Sequence, residues 1–181
     1  MIISGKCHCG NMAFELDWQP EPKTIPARAC SCSFCIKHGG VWTSCPTGSL
    51  TVQIQDSTRV STYSFGTMTA EFHVCSNCGV VPVVTSTIEG HVYAVVSVNA
   101  FENVDASMLQ RDSVSFDGEG QGDRLARRKR NWIGQVDFRQ AALQKSSIFV
   151  HAPQGLSAGR AHEFGIRRMF QPCRPPAALR V

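Results

Sequence analysis

Seven of the nine cysteines in this 181-residue chain fall into three short clusters. Residues 5–10 read Gly-Lys-Cys-His-Cys-Gly, residues 30–35 read Cys-Ser-Cys-Ser-Phe-Cys, and residues 75–79 read Cys-Ser-Asn-Cys-Gly. Closely spaced thiolates are preferred ligands of zinc in proteins. A redox pair or chance would explain one Cys-x-x-Cys, but three tight clusters favour metal binding.

The third cluster has the form of a zinc knuckle, in which Cys75 and Cys78 supply half of a tetrahedral site and the following glycine permits a tight turn. The other half must come from a distant pair, and Cys7 and Cys9 are the natural partners. Four thiolates close the coordination sphere. The sequence therefore predicts a structural zinc that contributes directly to folding stability.

The second cluster offers three thiolates within six residues, from Cys30, Cys32 and Cys35. Three protein ligands leave a fourth tetrahedral position open to water or substrate, as in catalytic zinc sites. The alternative is a site closed by a fourth residue, for which the candidates are Cys45, His38 and His73.

The remaining residues of these types carry less information. Cys45 and Cys173 stand alone, and a lone cysteine is usually a small buried residue. His8 lies between two predicted ligands, and we expect it to be exposed rather than ligating.

Residues 10–104 show the pattern of short strands separated by turns. Polar and apolar residues alternate in four segments, residues 12–16, 50–55, 60–65 and 70–74. Two β-branched runs, residues 80–87 and 91–98, are joined by Glu89-Gly90, which is a hairpin signal. The pattern predicts a mainly β fold.

The chain changes character after residue 110. We predict a zinc-binding domain over residues 3–110 and a Gly-rich, acidic linker or loop over residues 111–123. Residues 124–181 form a basic C-terminal extension, for which a helix is predicted from residue 124 to 145. After residue 151 the segment is rich in Pro, Gly and Arg, and we expect it to be less ordered.

Charge is divided unevenly along the chain. Residues 1–123 carry a net charge of −6 and residues 124–181 a net charge of +10. The densest basic run is residues 127–130, next to Trp132. Such a run can bind nucleic acid or an acidic partner, or act as a nuclear import signal, but we favour a solvated helix face or linker.

The bulk properties exclude some classes of protein. No stretch approaches the length of apolar sequence that a membrane span needs. The first cysteine motif comes before any apolar signal region would fit, and an odd cysteine count argues against a disulfide framework. We therefore expect a cytoplasmic protein with no membrane partner.

The ordered combination of the three motifs resembles the glutathione-dependent formaldehyde-activating enzyme family, which includes centromere protein V-like proteins. The resemblance covers about residues 3–105. It implies a β-rich, Mss4-like fold with two zinc ions. On that pattern the structural zinc is held by Cys7, Cys9, Cys75 and Cys78, and the catalytic zinc by Cys30, Cys32 and Cys35.

The activity implied by the resemblance is that of a carbon–sulfur lyase acting on a glutathione–aldehyde adduct of the S-hydroxymethylglutathione type. The partner would then be a small-molecule thiol whose sulfur takes the open zinc position. Arg28, Lys37 and His38 flank the second cluster and are candidates to meet the carboxylates of glutathione. The alternative is a non-enzymatic interaction module in which both zinc ions are structural.

Overall fold

The computed structural model describes residues 1–140, which lie in one compact unit. It contains eleven strands in this range: β1 (Ile2–Lys6), β2 (Met12–Asp17), β3 (Ile25–Cys30), β4 (Val41–Thr43), β5 (Ser49–Ile54), β6 (Val60–Tyr63), β7 (Glu71–Cys75), β8 (Val83–Ile88), β9 (His91–Ser97), β10 (Leu109–Val114) and β11 (Gln135–Gln140). The described α-helices are α1 (Ser33–His38) and α2 (Gln121–Asn131). The expectations for the segment after residue 151 and for Cys173 lie outside the described residues.

The first sheet has four strands in the order β1-β2-β5-β11. The strands β1, β2 and β5 pair antiparallel, whereas β11 joins the edge of β5 in parallel. Side chains of β2 alternate between buried and more exposed positions, as a sheet with one core-facing side requires. Gly5 lies opposite Phe14, and a Cβ atom at Gly5 would overlap the Phe14 ring. A glycine is therefore needed where these strands meet.

The second sheet has seven strands in the order β10-β3-β4-β9-β8-β7-β6. All neighbouring pairs are antiparallel except β10 and β3. Strand β3 is thus held between β4 and β10, and its last residue is Cys30. Strand β7 ends at Cys75. The termini of these strands place two of the three cysteine clusters.

The main hydrophobic core contains inward-facing residues of both sheets. Phe14 and Leu50 come from the first sheet, and Ile25 and Val96 from the second. Burial of this apolar surface is the main favourable term in folding. The core gives the cysteine-bearing strand ends a rigid support.

The mainly β fold predicted from the sequence is confirmed. The predicted hairpin at Glu89-Gly90 joins β8 to β9, and both turn residues have positive φ, as a two-residue hairpin of this kind requires. Five strands that the alternation did not indicate are also present, namely β1, β3, β4, β10 and β11.

The segment after residue 110 differs from the expectation in its elements. The predicted limits at residues 110 and 123 fall inside β10 and α2. The predicted helix over residues 124–145 is wrong in its extent, because α2 ends at Asn131 and a strand follows. Ile133 exchanges two backbone hydrogen bonds with Ala94 of β9, which draws the chain into the sheet region. Tertiary pairing outweighs helix propensity here.

No α-helix among residues 1–140 has the length and apolar character that crossing a membrane would demand.

Candidate metal centres

The four-cysteine cluster consists of Cys7, Cys9, Cys75 and Cys78. Cys7 and Cys9 follow directly after β1, and Cys75 ends β7 with Cys78 in the turn beyond it. The two turns belong to different sheets, so the cluster joins parts of the chain that are distant in sequence. The sequence-based pairing of these four residues agrees with their proximity.

The two turns are built alike. Gly10 donates its backbone N–H to the carbonyl of Cys7, and Gly79 donates to the carbonyl of Cys75. Both glycines have positive φ, near 78° and 77°, which a side chain would strain. The resulting tight backbone also lets the Met12 N–H donate to the Cys7 sulfur at 3.3 Å.

Sulfur spacing in the four-cysteine cluster fits a tetrahedral metal. All four Sγ atoms lie within 4.8 Å of one another. The Sγ atoms of Cys7 and Cys9 are 3.7 Å apart, and those of Cys9 and Cys75 are 3.5 Å apart. Zinc–sulfur bonds of about 2.3 Å in a tetrahedron give sulfur–sulfur separations of about 3.8 Å. The donor set and its spacing therefore fit a tetrahedral metal ion of the size of zinc.

Ionisation in this cluster is divided between buried and exposed thiols. Burial raises the pKa of the Cys7 thiol to about 12. Hydrogen bonding from the Asn77 side chain lowers the pKa of the exposed Cys9 to about 6. Four thiolates together at this spacing need a cation, because burying like charges without a partner is costly. A metal ion is the group that meets this need.

The three-cysteine cluster consists of Cys30, Cys32 and Cys35, whose sulfurs also lie within 4.8 Å of one another. Cys30 ends β3, Cys32 is the N-cap of α1, and Cys35 lies in the first turn of that helix. The Cys32 sulfur accepts the Cys35 backbone N–H at 3.4 Å. Gly39 is the C-terminal cap of α1, and its backbone adopts the left-handed conformation that is common at this position. The end of β3 and the short helix α1 thus bring the three sulfurs together.

The surroundings of this cluster favour one thiolate. A hydrogen bond that the Cys35 thiol donates to the Cys30 sulfur lowers the pKa of Cys30 to about 5. The same hydrogen bond, with burial, raises the pKa of Cys35 well above its ordinary range. The indole N–H of Trp42 donates to the Cys35 sulfur at 3.3 Å, which stabilises negative charge there. Such outer contacts orient metal ligands.

None of the three candidates for a fourth ligand joins the three-cysteine cluster within residues 1–140. The Cys45 thiol contacts the Gln19 carbonyl and Thr47. His38 donates from Nδ1 to the Phe34 carbonyl, and His73 bonds Thr85 through Nε2. Among residues 1–140, no fourth Cys, His, Asp or Glu side chain joins the three sulfurs.

A cavity of about 600 Å³ opens on the three-cysteine cluster, and we refer to it as the cysteine cavity. Its volume lies in the range of small-molecule sites. Much of its wall is apolar and aromatic, contributed by Trp42, Phe65, Phe72, Val84, Val95, Val114, Phe116 and Trp132. Its charged lining residues are Arg28, Asp117, Arg124, Arg127 and Arg128.

The aromatic wall is a packed cluster. The Phe65 and Phe72 rings stack with centroids 5.4 Å apart, and the Trp42 and Phe72 rings meet at 5.9 Å. Phe34 of α1 contacts the edge of Phe72 at 4.8 Å between centroids. These contacts hold Trp42, whose indole N–H donates to the Cys35 sulfur.

The basic run on α2 is partly internal. Arg128 is only 7% exposed, and its Nη1 donates to both Thr69 oxygens and to Ser86 Oγ. Arg127 makes a two-bond ion pair with Glu119, and its guanidinium lies 3.7 Å from the centre of the Phe116 ring. The interpretation of this run as a solvated face is therefore wrong for these two arginines. They face the cysteine cavity instead.

Comparison with known proteins identifies the chain's family. Residues 2–114 match the model of the family described as "Glutathione-dependent formaldehyde-activating enzyme". The chain belongs to this family. A crystal structure of a Rhodobacter sphaeroides protein is 28% identical to it, over 57% of this chain and 92% of that one, with a TM-score of 0.44. No curated protein matches the chain.

The resemblance stated from the sequence is thereby confirmed, and so is the expected presence of cysteine clusters able to hold metal in this formaldehyde-activating family member. Of the three residues expected near the substrate, Arg28 lines the cysteine cavity. Lys37 and His38 lie exposed on α1 and are not among the lining residues.

Sequence reasoning missed most of the cavity. Trp42, Phe72 and Asp117 had no motif around them, and the arginines of α2 were considered only as a basic run. Asp117 and α2 lie beyond the residues that the formaldehyde-activating enzyme family model matches. A signal for Phe72 and Asp117 would have required knowledge of which strands pair, since both are far in sequence from residues 30–35. Trp42 lies only seven residues after Cys35, but no motif marks it as a partner of that sulfur.

Proposed function

We propose that this protein is a zinc-dependent carbon–sulfur lyase acting on glutathione–aldehyde adducts of the S-hydroxymethylglutathione type. The observation that carries the proposal is the cysteine cavity, which opens on the three-cysteine cluster. No residue of the four-cysteine cluster lines that cavity. One cluster has room for a substrate beside it, and membership of the glutathione-dependent family supports a glutathione adduct as that substrate.

The proposal uses two zinc ions per chain. Cys7, Cys9, Cys75 and Cys78 would hold a structural ion, and Cys30, Cys32 and Cys35 a catalytic one. When bound, zinc at a three-thiolate site supplies a Lewis-acid position that lowers the pKa of a thiol taken as fourth ligand. A reducing compartment keeps such cysteines free, so we place the protein in the cytoplasm.

The reaction balances without a further reagent. In the adduct, carbon carries both a hydroxyl group and the glutathione sulfur. Removal of the hydroxyl proton lets a carbon–oxygen double bond form while the carbon–sulfur bond breaks, with the bonding pair leaving on sulfur. Formaldehyde and a thiolate are the products, and the reverse sequence forms the adduct.

Asp117 is the residue that we assign to the hydroxyl proton. It is the sole carboxylate among the described residues that line the cysteine cavity, and a carboxylate oxygen can accept and return a proton. Phe65, Phe72 and Trp42 form an apolar wall of the same cavity, and Asp117 itself is exposed.

The first test counts zinc by native mass spectrometry, with and without glutathione, and measures adduct turnover. We expect two zinc ions, a glutathione complex, and release of formaldehyde from the adduct. In Cys32→Ser, one zinc, the glutathione complex and the activity should all be lost. Cys45→Ser is the matched control, since that thiol lies outside both clusters.

Other outcomes decide against the lyase. Two zinc ions with no response to glutathione or its adducts would favour the non-enzymatic module, in which both ions are structural. A single zinc ion in the wild type, still present in Cys32→Ser, would remove the catalytic site and leave the structural one.

A further inference from the structure

Arg28 occupies a defined position relative to the three-cysteine cluster. It lies on β3 two residues before Cys30, and residues two apart on a strand point to the same face. The strand rise separates their Cα atoms by about 7 Å. A ligand whose sulfur meets the cluster and whose anionic group lies a few bonds away would reach this guanidinium.

The Arg28 guanidinium is held by neutral groups. Its Nη2 donates to Ser44 Oγ at 2.7 Å, and Ser44 Oγ donates in turn to the Asn131 carbonyl at 2.7 Å. Asn131 is the last residue of α2. Among the salt bridges of residues 1–140, none involves Arg28. This arginine is oriented, but its charge has no carboxylate partner within the described chain.

Arg28 also lies where two cavities meet. A second cavity of about 310 Å³ shares five lining residues with the cysteine cavity, namely Arg28, Val114, Phe116, Arg127 and Trp132. Its other lining residues include Ser44 and Asn131, which orient the guanidinium. The shared wall therefore presents Arg28 to a ligand that extends from the cysteine cluster.

The electrostatic surroundings favour an anion at this wall. Four arginines and one carboxylate line the cysteine cavity, and Glu119 is already engaged by Arg127. The Arg28 guanidinium keeps its charge at neutral pH and lies near the positive charge of Arg127. A bound carboxylate would offset this repulsion through two parallel N–H···O bonds.

We propose that Arg28 is the specificity-determining residue that binds a carboxylate of the thiol substrate, and that Ser44 and the end of α2 position it. This inference rests on the proposed function and names the recognition element for it. Helix α2 lies beyond the family-matched residues, so the positioning contact comes from outside residues 2–114.

The test measures binding separately from catalysis. S-methylglutathione keeps both carboxylates of glutathione, but its thioether cannot form a thiolate. We would titrate it into the purified full-length protein and follow tryptophan fluorescence, because Trp42 and Trp132 line the cavity. Saturable binding is expected. Two amidated forms of the peptide are then titrated, one lacking the glycine carboxylate and the other lacking the glutamyl carboxylate. The form that binds more weakly identifies the carboxylate that the protein recognises.

The variants should weaken binding of S-methylglutathione to different degrees. Arg28→Gln should weaken binding of S-methylglutathione by about 10- to 100-fold, as expected for loss of hydrogen bonds to a charged group. Arg28→Lys should recover part of the affinity, since it keeps the charge but loses the two-bond geometry. Ser44→Ala should weaken binding by less than Arg28→Gln. In each of these variants, binding of the peptide that lacks the recognised carboxylate should change little.

Arg130→Gln is the matched control, since Arg130 lies exposed on α2 and does not line either cavity. Equal affinities in wild type and Arg28→Gln would overturn the inference, as would absence of binding in the wild type. If Arg28→Gln does not fold, unweakened binding in Arg28→Lys together with no preference between acid and amide would overturn it. Loss of adduct turnover in the wild type, with Arg28-dependent binding intact, would instead remove the proposed lyase activity and keep the anion subsite.

Discussion

The two cysteine clusters use the same ligand type in different surroundings. The four-cysteine cluster joins turns from two sheets and packs against Met12, Val60 and Val80. The three-cysteine cluster is built by residues 30–35 alone and opens on a cavity with aromatic and charged walls. Exposure does not separate them, because Cys9 is exposed and Cys35 is buried. Ligand number and the adjoining space separate them.

This difference indicates a division of labour. A metal that joins distant segments adds its binding free energy to folding, because the unfolded chain holds no such site. A metal held by one short segment adds less to the fold and can be given an open position.

The largest effect is expected when Cys75 is replaced. Cys75→Ser should remove cooperative folding, because structural zinc sites contribute an apparent binding free energy of about 10 kcal/mol or more. Cys32→Ser should lose one zinc and leave the fold mostly intact. Thermal melting by circular dichroism, with a zinc count, compares the two. Equal loss of folding in both variants would contradict the division.

A large effect on rate alone is expected at Asp117. Asp117→Asn should lower kcat for adduct cleavage by about 10²- to 10⁴-fold, the usual contribution of a general base. The zinc count and the melting temperature should stay at wild-type values. Asp112→Asn is the matched control, since that carboxylate is exposed on β10 and lines neither cavity. A rate unchanged by Asp117→Asn would exclude this carboxylate as the proton acceptor.

Removal of metal should proceed in two phases. A chelator should first take the zinc of the three-cysteine cluster, because an open position gives the chelator access. Far-ultraviolet circular dichroism should not change during this phase. The second zinc should leave together with the secondary structure, and glutathione should slow only the first phase. A single phase that unfolds the protein would show that both ions are structural.

The smallest effect is expected at Trp42. Trp42→Phe removes the N–H donor to the Cys35 sulfur while keeping an aromatic ring against Phe72. The metal affinity of the three-cysteine cluster should fall by about tenfold, the lower end for loss of an outer-shell contact. Competition with a zinc indicator measures it, with Trp18→Phe as the control in the core. Zinc loss from the four-cysteine cluster in Trp42→Phe would break the proposed independence of the two sites.

Parts of the fold followed from the sequence because their signals are local. The hairpin of β8 and β9 combines β-branched runs with a turn that needs two residues of positive φ, and Glu89-Gly90 supplies them. The parallel partners β10 and β11 carry no such signal. Each is exposed along most of its length and is fixed by pairing with β3 or β5.

The candidate site likewise has a part that local sequence predicted and a part that it did not. The three sulfurs of residues 30–35 are brought together by a strand end and one helical turn, so spacing along the chain predicted their proximity. Phe72 and Arg127 meet the same cavity from β7 and α2, at sequence distances that no local pattern reports. Arg127 looked solvated in the sequence because its partner Glu119 and the ring of Phe116 cannot be assigned to it before the chain folds.

By itself the sequence determined the ligand chemistry of this protein. Soft thiolates at fixed short spacings, followed by glycines that allow tight turns, specify metal sites whatever surrounds them. The tertiary structure decided which site has a neighbouring cavity, which charges face it, and how Arg28 is held by Ser44 and Asn131. The physical reason is range: each short group of cysteines is set within a few residues of the chain. The union of Cys7 and Cys9 with Cys75 and Cys78, like the cavity and the charges that line it, depends on strands and helices that only packing brings together.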